Sequence, residues 1–235
     1  MITSSVGVAG LAISQFAVGK PVVNLLDPTS PLIIPENFEP CVWFTMQSSG
    51  KTNIHVFRQE IGQHIGTALA QIVAEELELD WSQVSIDYPE MDMIKFQKTG
   101  VQMTGGSQSV IQSFTPLSRS AAVAREFLVE AGADILGSDP ATCYAKNGFV
   151  IDDGYGEKIS YGQILSQTVI EHEIQPEEME QVKLKTKNEY KIIGQSLDAL
   201  DINEKVNGKA RYGIDSYAPN MVFGKVSLGP TRLGS

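Results

Sequence analysis

The sequence predicts an α+β fold: β-hairpins and a mixed sheet packed with a few helices. Three observations carry this. "CVWFTM" and "NIHVF" alternate apolar and polar residues on either side of "QSSGK", the pattern of a β-hairpin. "TCYAKNGFVID" sets Asn147-Gly148 between two apolar runs, the strongest short hairpin signal. Between them, Leu69, Ile72, Val73 and Leu77 recur at helical spacing. At 235 residues and 42% hydrophobic, the chain can bury a sizeable core as one large domain or two modest ones.

In chain order, Val6–Gly19 is apolar, small and uncharged. It is short for a membrane span of about 20 residues. Two readings stand: an apolar arm, or the remnant of an export signal without its basic region. The second implies a periplasmic location, the first a cytoplasmic one. Asp27–Pro40 has four prolines in 14 residues and reads as an extended linker. The hairpin follows. Its turn contains "SSGKT", but a phosphate-binding P-loop needs glycine where Thr45 stands. The helix from Gly66 places Glu75, Glu76 and Glu78 off the apolar face, where they are expected to be solvated. Val84–Tyr88 reads as a strand. Thr115-Pro116 reads as an N-cap with proline at the first helical position, opening the Ala-rich helix "PLSRSAAVAREFLVEAGADIL". "SYGQILSQTVI" is a short helix capped by Ser160. Glu171–Gln181 is acidic, contains Pro176 and reads as a surface linker. Val182–Ser235 is polar and turn-rich and ends in the strand-like "MVFGKVSL".

The net charge of −10, with no basic cluster, argues against a nucleic-acid partner. Two cysteines, Cys41 and Cys143, are too few to hold an iron–sulfur cluster. They read as small core residues, with a disulfide as the alternative. His55, His64 and His172 lack close metal-ligand spacing.

Two glycine-rich segments remain. Gly62-Gln63 stands at the head of the first helix, and "TGGSQS" (Thr104–Ser109) lies in a loop. Both offer unhindered backbone N–H groups beside amide or hydroxyl side chains, which suits phosphates and hydrogen-bond-rich heterocycles. "EIGQ" with "TALAQIVAEEL", then "TGGSQSV", then "LDINEKVNGKARYGID" resemble the molybdenum-binding subunit of the xanthine dehydrogenase/aldehyde oxidase family. The branch is that of the isoquinoline 1-oxidoreductase beta subunit. The resemblance covers about residues 37–228.

That resemblance implies contacts to molybdopterin cytosine dinucleotide from Gly62, Gln63, Thr104, Gly105, Gly106, Ser107 and Ser109. It implies an apolar arm or signal remnant with a linker at 1–36. A molybdopterin-binding segment follows at 37–180, and the start of a hammerhead α/β domain at 181–235. It places the catalytic glutamate outside this sequence, on a companion chain, and the [2Fe–2S] clusters on a partner subunit. The expected function is one piece of a molybdenum hydroxylase acting on aldehydes or N-heteroaromatics. The alternative is a non-catalytic fragment with a structural or binding role. One departure bears on the choice: His64 stands where the family pattern has a glycine. Either an exposed histidine is tolerated there, or it crowds the cofactor unless φ stays negative.

Overall fold

The structure is a computed structural model that describes residues 10–15, 41–89, 103–167, 171–174 and 176–227. The linker expected at Asp27–Pro40 lies outside them. The chain divides into two compact units, 1–200 and 201–235.

The first unit is α+β. Its larger sheet contains β1 (Gly10–Gln15), β2 (Cys41–Gln47), β3 (Thr52–His55), β4 (Val84–Asp87) and β8 (Glu171–Ile174), in the order β4-β3-β2-β1-β8. The expected hairpin joins β2 to β3 with Phe44 opposite Ile54. Gly50 closes its turn at φ 86°, where a side chain would be strained. Period-two alternation sends Phe44, Met46, Ile54 and Val56 into the core and leaves Trp43, Thr45, Asn53 and His55 half-buried on the other face.

Two expectations change here. Part of the apolar N-terminal stretch is a strand, since β1 pairs antiparallel with β2 and parallel with β8. The expected linker at Glu171–Gln181 instead supplies β8 and the helix α4 (Pro176–Gln181), whose Met179 is buried. Pairing with a strand far away in sequence outweighed the acidic composition, which was the only local signal.

β3 and β4 are parallel and are connected through α1 (Ile65–Glu76), a β-α-β crossover. α1 buries Leu69, Ile72 and Val73, as its periodicity predicts. Against it packs α2 (Ser109–Leu136), whose Leu117, Ala121, Ala124 and Leu128 are buried and whose small residues permit close approach. α2 begins seven residues before the expected Pro116, which lies inside the helix. Proline there removes a ladder bond and costs up to about 3 kcal/mol. Buried Arg58 offsets this by anchoring the first turns: its guanidinium donates to Gln112 Oε1 (3.1 Å) and Ser113 Oγ (3.4 Å).

The smaller sheet is β5 (Cys143–Lys146), β6 (Phe149–Asp152) and β7 (Lys158–Ser160), all antiparallel. Asn147 (φ 51°) and Gly148 (φ 75°) form its predicted two-residue turn. Ser160 caps α3 (Tyr161–Gln167): its Oγ accepts from Gln163 N–H at 3.2 Å, while Gln163 Oε1 accepts from Ser160 N–H at 3.0 Å. Buried Tyr161 donates to Leu77 O at 2.8 Å, and burial pushes its phenol pKa well up.

The glutamates after α1's apolar face are not solvated. Glu75 and Glu76 are 1% and 2% exposed. The segment 183–193 lies over them. Glu75 accepts from Lys185 Nζ (2.8 Å) and from the backbone N–H of Lys191, Ile192 and Ile193 (2.8, 2.6 and 3.0 Å). Glu76 pairs with Arg125 at 3.1 Å. Glu78, at φ 52° past the end of α1, holds Lys185 (2.6 Å) and Lys191 (2.8 Å). An amphipathic pattern shows which face is apolar. It does not show that a distant segment will cover the polar face.

Among its described residues, the second unit contains one short helix, α5 (Ile202–Val206), and a 3-10 turn at Gly213–Asp215. "MVFGKVSL" was expected as a strand, but residues 221–227 form none. A strand needs a pairing partner, and no strand lies among the described residues of this unit.

Candidate functional site

The first glycine-rich segment is the loop between β3 and α1, the turn of the β-α-β unit at which ligands meet a helix N-terminus. Gly62 has φ 101°, and a Cβ placed there would meet nothing within 4 Å. Gly66 serves a different purpose. A Cβ on it would overlap the Tyr88 hydroxyl and come within 2.6 Å of Ile86 Cδ1. Glycine at 66 therefore lets Tyr88 wedge against the first turn of α1.

The loop's donors are largely engaged within the loop. Glu60 Oε1 accepts from Gly62 N–H (2.6 Å) and His64 N–H (3.1 Å). Its Oε2 accepts from Tyr88 Oη at 3.4 Å. Gln63 Oε1 accepts from Ile61 N–H (2.7 Å), while its Nε2 donates to Gln59 O (3.0 Å). His64 is exposed at φ 57°, the left-handed region. The negative φ that would turn its ring aside is not adopted, so His64 takes the backbone shape that its glycine counterpart would take freely.

The second segment stands at the start of α2. Thr104 Oγ1 donates to Gln59 O at 2.8 Å, so Thr104 and Gln63 converge on one carbonyl oxygen. Arg58 donates to Met103 O at 3.1 Å, beneath the same strand of chain. Gly105 and Gly106 follow in an exposed turn with Ser107, at φ 59° for Gly106 and 58° for Ser107. Ser109 is buried as the first helical residue. The N-cap Gln108 makes no side-chain capping bond at the start of this 28-residue helix. Two segments over forty residues apart in sequence are thus joined at Gln59 and Arg58. Sequence reasoning did not single out Arg58, Glu60 or Tyr88. The signal for Arg58 was a lone cation closing an apolar strand run.

Both loops leave their glycine backbones sterically open, while the N–H groups of Ile61, Gly62 and His64 are bonded within the first loop. No Cβ obstructs Gly62 or Gly105, and a Cβ on Gly106 would meet only Gln108 Cγ at 3.6 Å. Arg58 is 8% exposed, burial lowers its pKa, and no carboxylate pairs with it among the described residues. Its positive charge adds to that of the α2 N-terminus at Gly105–Ser109.

Other polar clusters carry less chemistry. On the half-buried face of the larger sheet, His55 Nδ1 lies 2.6 Å from Asp87 Oδ1 and His55 Nε2 lies 2.9 Å from Thr45 Oγ1. The order resembles a hydroxyl–imidazole–carboxylate relay. It spans three adjacent strands as cross-strand pairs, and its role is to bind β2, β3 and β4 together. Cys143 is free and lines a cleft with Arg125 and Lys185. Burial, aided by Asp152, pushes its thiol pKa up, which suppresses the nucleophilic thiolate. A second cleft lies between the Ser48–Gly50 turn and Ser160–Gln163. Neither contains a candidate cofactor residue. Among the described residues, no cluster of three metal-ligating side chains occurs, and no helix is long and apolar enough to cross a membrane.

The fold is thus an α+β domain in which a glycine loop on a β-α-β turn is joined to a second glycine loop at a helix start. Residues 8–218 match the molybdopterin cofactor-binding domain family. The chain belongs to that family and corresponds to a portion of a molybdopterin-binding subunit of the xanthine dehydrogenase type. It is similar to the membrane-bound aldehyde dehydrogenase [pyrroloquinoline-quinone] of Gluconacetobacter polyoxogenes, 41% identical over 84% of this chain and 25% of that one. It is 26% identical to the beta subunit of isoquinoline 1-oxidoreductase from Brevundimonas diminuta, over 81% of this chain and 28% of that one. It is 30% identical to a nicotinate dehydrogenase subunit of Pseudomonas putida, over 73% of this chain and 14% of that one. The chain therefore spans between 14% and 28% of the length of these relatives.

Proposed function

We propose that this chain supplies part of the cofactor cradle of a molybdenum hydroxylase that acts on aldehydes or N-heteroaromatic compounds. The single observation that supports this most is the junction of the two glycine-rich segments at Gln59 and Arg58. Gly62 and Gln63 contact molybdopterin cytosine dinucleotide. Thr104, Gly105, Gly106, Ser107 and Ser109 hold its pterin and phosphates through backbone amides and hydroxyls. The bound cofactor supplies the redox chemistry of substrate hydroxylation. The residues of this chain bind and orient it. No glutamate among these residues is assigned as the base, and electrons leave through a [2Fe–2S] subunit. Residues 37–180 form the molybdopterin-binding segment and 181–235 begin the hammerhead domain.

Metal and nucleotide analysis of the chain isolated from its native host with its partners tests this. Molybdenum and cytidine in equal amounts are expected. Pyrroloquinoline quinone, the group in the name of one relative, would overturn the assignment. A second reading, a non-catalytic binding fragment, is favoured by Gln63, whose amide is bonded within its own loop, and by His64, whose positive φ is the conformation expected to crowd a cofactor. It predicts neither metal nor nucleotide.

A further inference from the structure

Among the described residues, Glu60 is the one carboxylate that enters the first glycine loop, and its contacts are specific. One oxygen collects the N–H groups of Gly62 and His64, residues whose φ angles are 101° and 57°. Glycine adopts such a backbone freely. Histidine does so at a cost of about 1 kcal/mol or more. A residue held there needs a bond that the extended or right-handed shapes would break. The His64 N–H bond to Glu60 is such a bond, and Glu60 is itself steadied by Tyr88, which Gly66 admits.

We propose that Glu60 is the positioning residue of the cofactor loop: its shared carboxylate oxygen enforces the left-handed conformation of His64 and so fixes where Gln63 and the imidazole are presented. The inference rests on the cofactor reading only for its functional consequence. Its structural content is that residues 60 and 64 are energetically coupled. Where position 64 is glycine, the loop adopts this shape unaided. With histidine at 64, the shape depends on Glu60. Charge-assisted bonds from a backbone N–H to a carboxylate are strong enough to make that difference.

The test is a double-mutant cycle on the full chain with Glu60→Ala, Glu60→Gln and His64→Gly, read by amide hydrogen exchange at residues 61–64 and by thermal midpoint. Glu60→Ala is expected to speed exchange at Gly62 and His64 about tenfold or more. Glu60→Gln, which keeps an acceptor oxygen, is expected to restore most of the protection. In the His64→Gly background, the Glu60→Ala effect is expected to fall by at least half. Additive effects, or unchanged exchange in Glu60→Ala, would overturn the inference. Cytidine 5′-diphosphate added to the wild-type chain separates the two claims. Protection at residues 104–111 supports the cofactor reading, and its absence counts against that reading. The coupling of 60 and 64 is decided by the cycle in either case.

Discussion

Glu75→Ala is the sharpest test of how this fold is held together. The Glu75 side chain is fully buried and its carboxylate accepts four bonds, one from Lys185 Nζ and three from consecutive backbone N–H groups at 191–193. Alanine would take the acceptor from those three part-buried donors and leave Lys185 with Glu78 alone. Leaving such donors unsatisfied costs about 1–3 kcal/mol, a large share of the roughly 5–15 kcal/mol that holds a domain. Urea unfolding at neutral pH measures the loss, and hydrogen exchange should show residues 183–200 released first. A loss below about 1 kcal/mol, or unchanged protection of that segment, would refute the reasoning. The pH dependence carries a second check. Burial pushes the Glu75 carboxyl upward, but Lys185 and the three N–H groups outweigh it and hold the pKa below its ordinary value. A depressed carboxylate adds stability above its unfolded pKa, and that contribution is lost as pH falls through the folded value. Glu76 runs the other way. Burial outweighs Arg125 and raises its pKa, so its contribution favours low pH and fades as pH rises through the folded value. Glu75→Gln should therefore flatten the acid limb of the stability curve, and Glu76→Gln should steepen it.

Three further outcomes are expected. Gly66→Ala would drive a methyl into Tyr88 and Ile86, lowering stability by about 1–3 kcal/mol in thermal unfolding and loosening Tyr88 from Glu60. Arg58→Met would remove the donors to Met103, Gln112 and Ser113, costing about 2–4 kcal/mol; limited proteolysis near residues 103–108 should then accelerate. Gly148→Ala would place a side chain at φ 75° in the hairpin turn, at a cost of about 1–2 kcal/mol in urea unfolding.

The sequence by itself determined the elements whose causes are local. Asn147-Gly148 supplied its own left-handed turn, Ser160 and Gln163 their reciprocal cap, and Leu69 to Leu77 their buried stripe. The ordered motifs "EIGQ", "TGGSQSV" and "LDINEKVNGKARYGID" carried the resemblance to the family, which the match over residues 8–218 shows. Only the tertiary structure decided the rest. "EHEI" became a strand because β1 offered it an edge, and no local propensity in an acidic tetrapeptide announces that. α2 ran back past Pro116 because Arg58, over fifty residues earlier, secured its first turns. Glu75 and Glu76 left solvent because residues 183–193 folded over them with matching cations and amides. At the candidate site, sequence named Gly62, Gln63 and Thr104 separately. The meeting of Gln63 and Thr104 at the Gln59 carbonyl, and the bond that holds His64 in a glycine's conformation, depend on contacts and dihedral angles that no one-dimensional pattern contains.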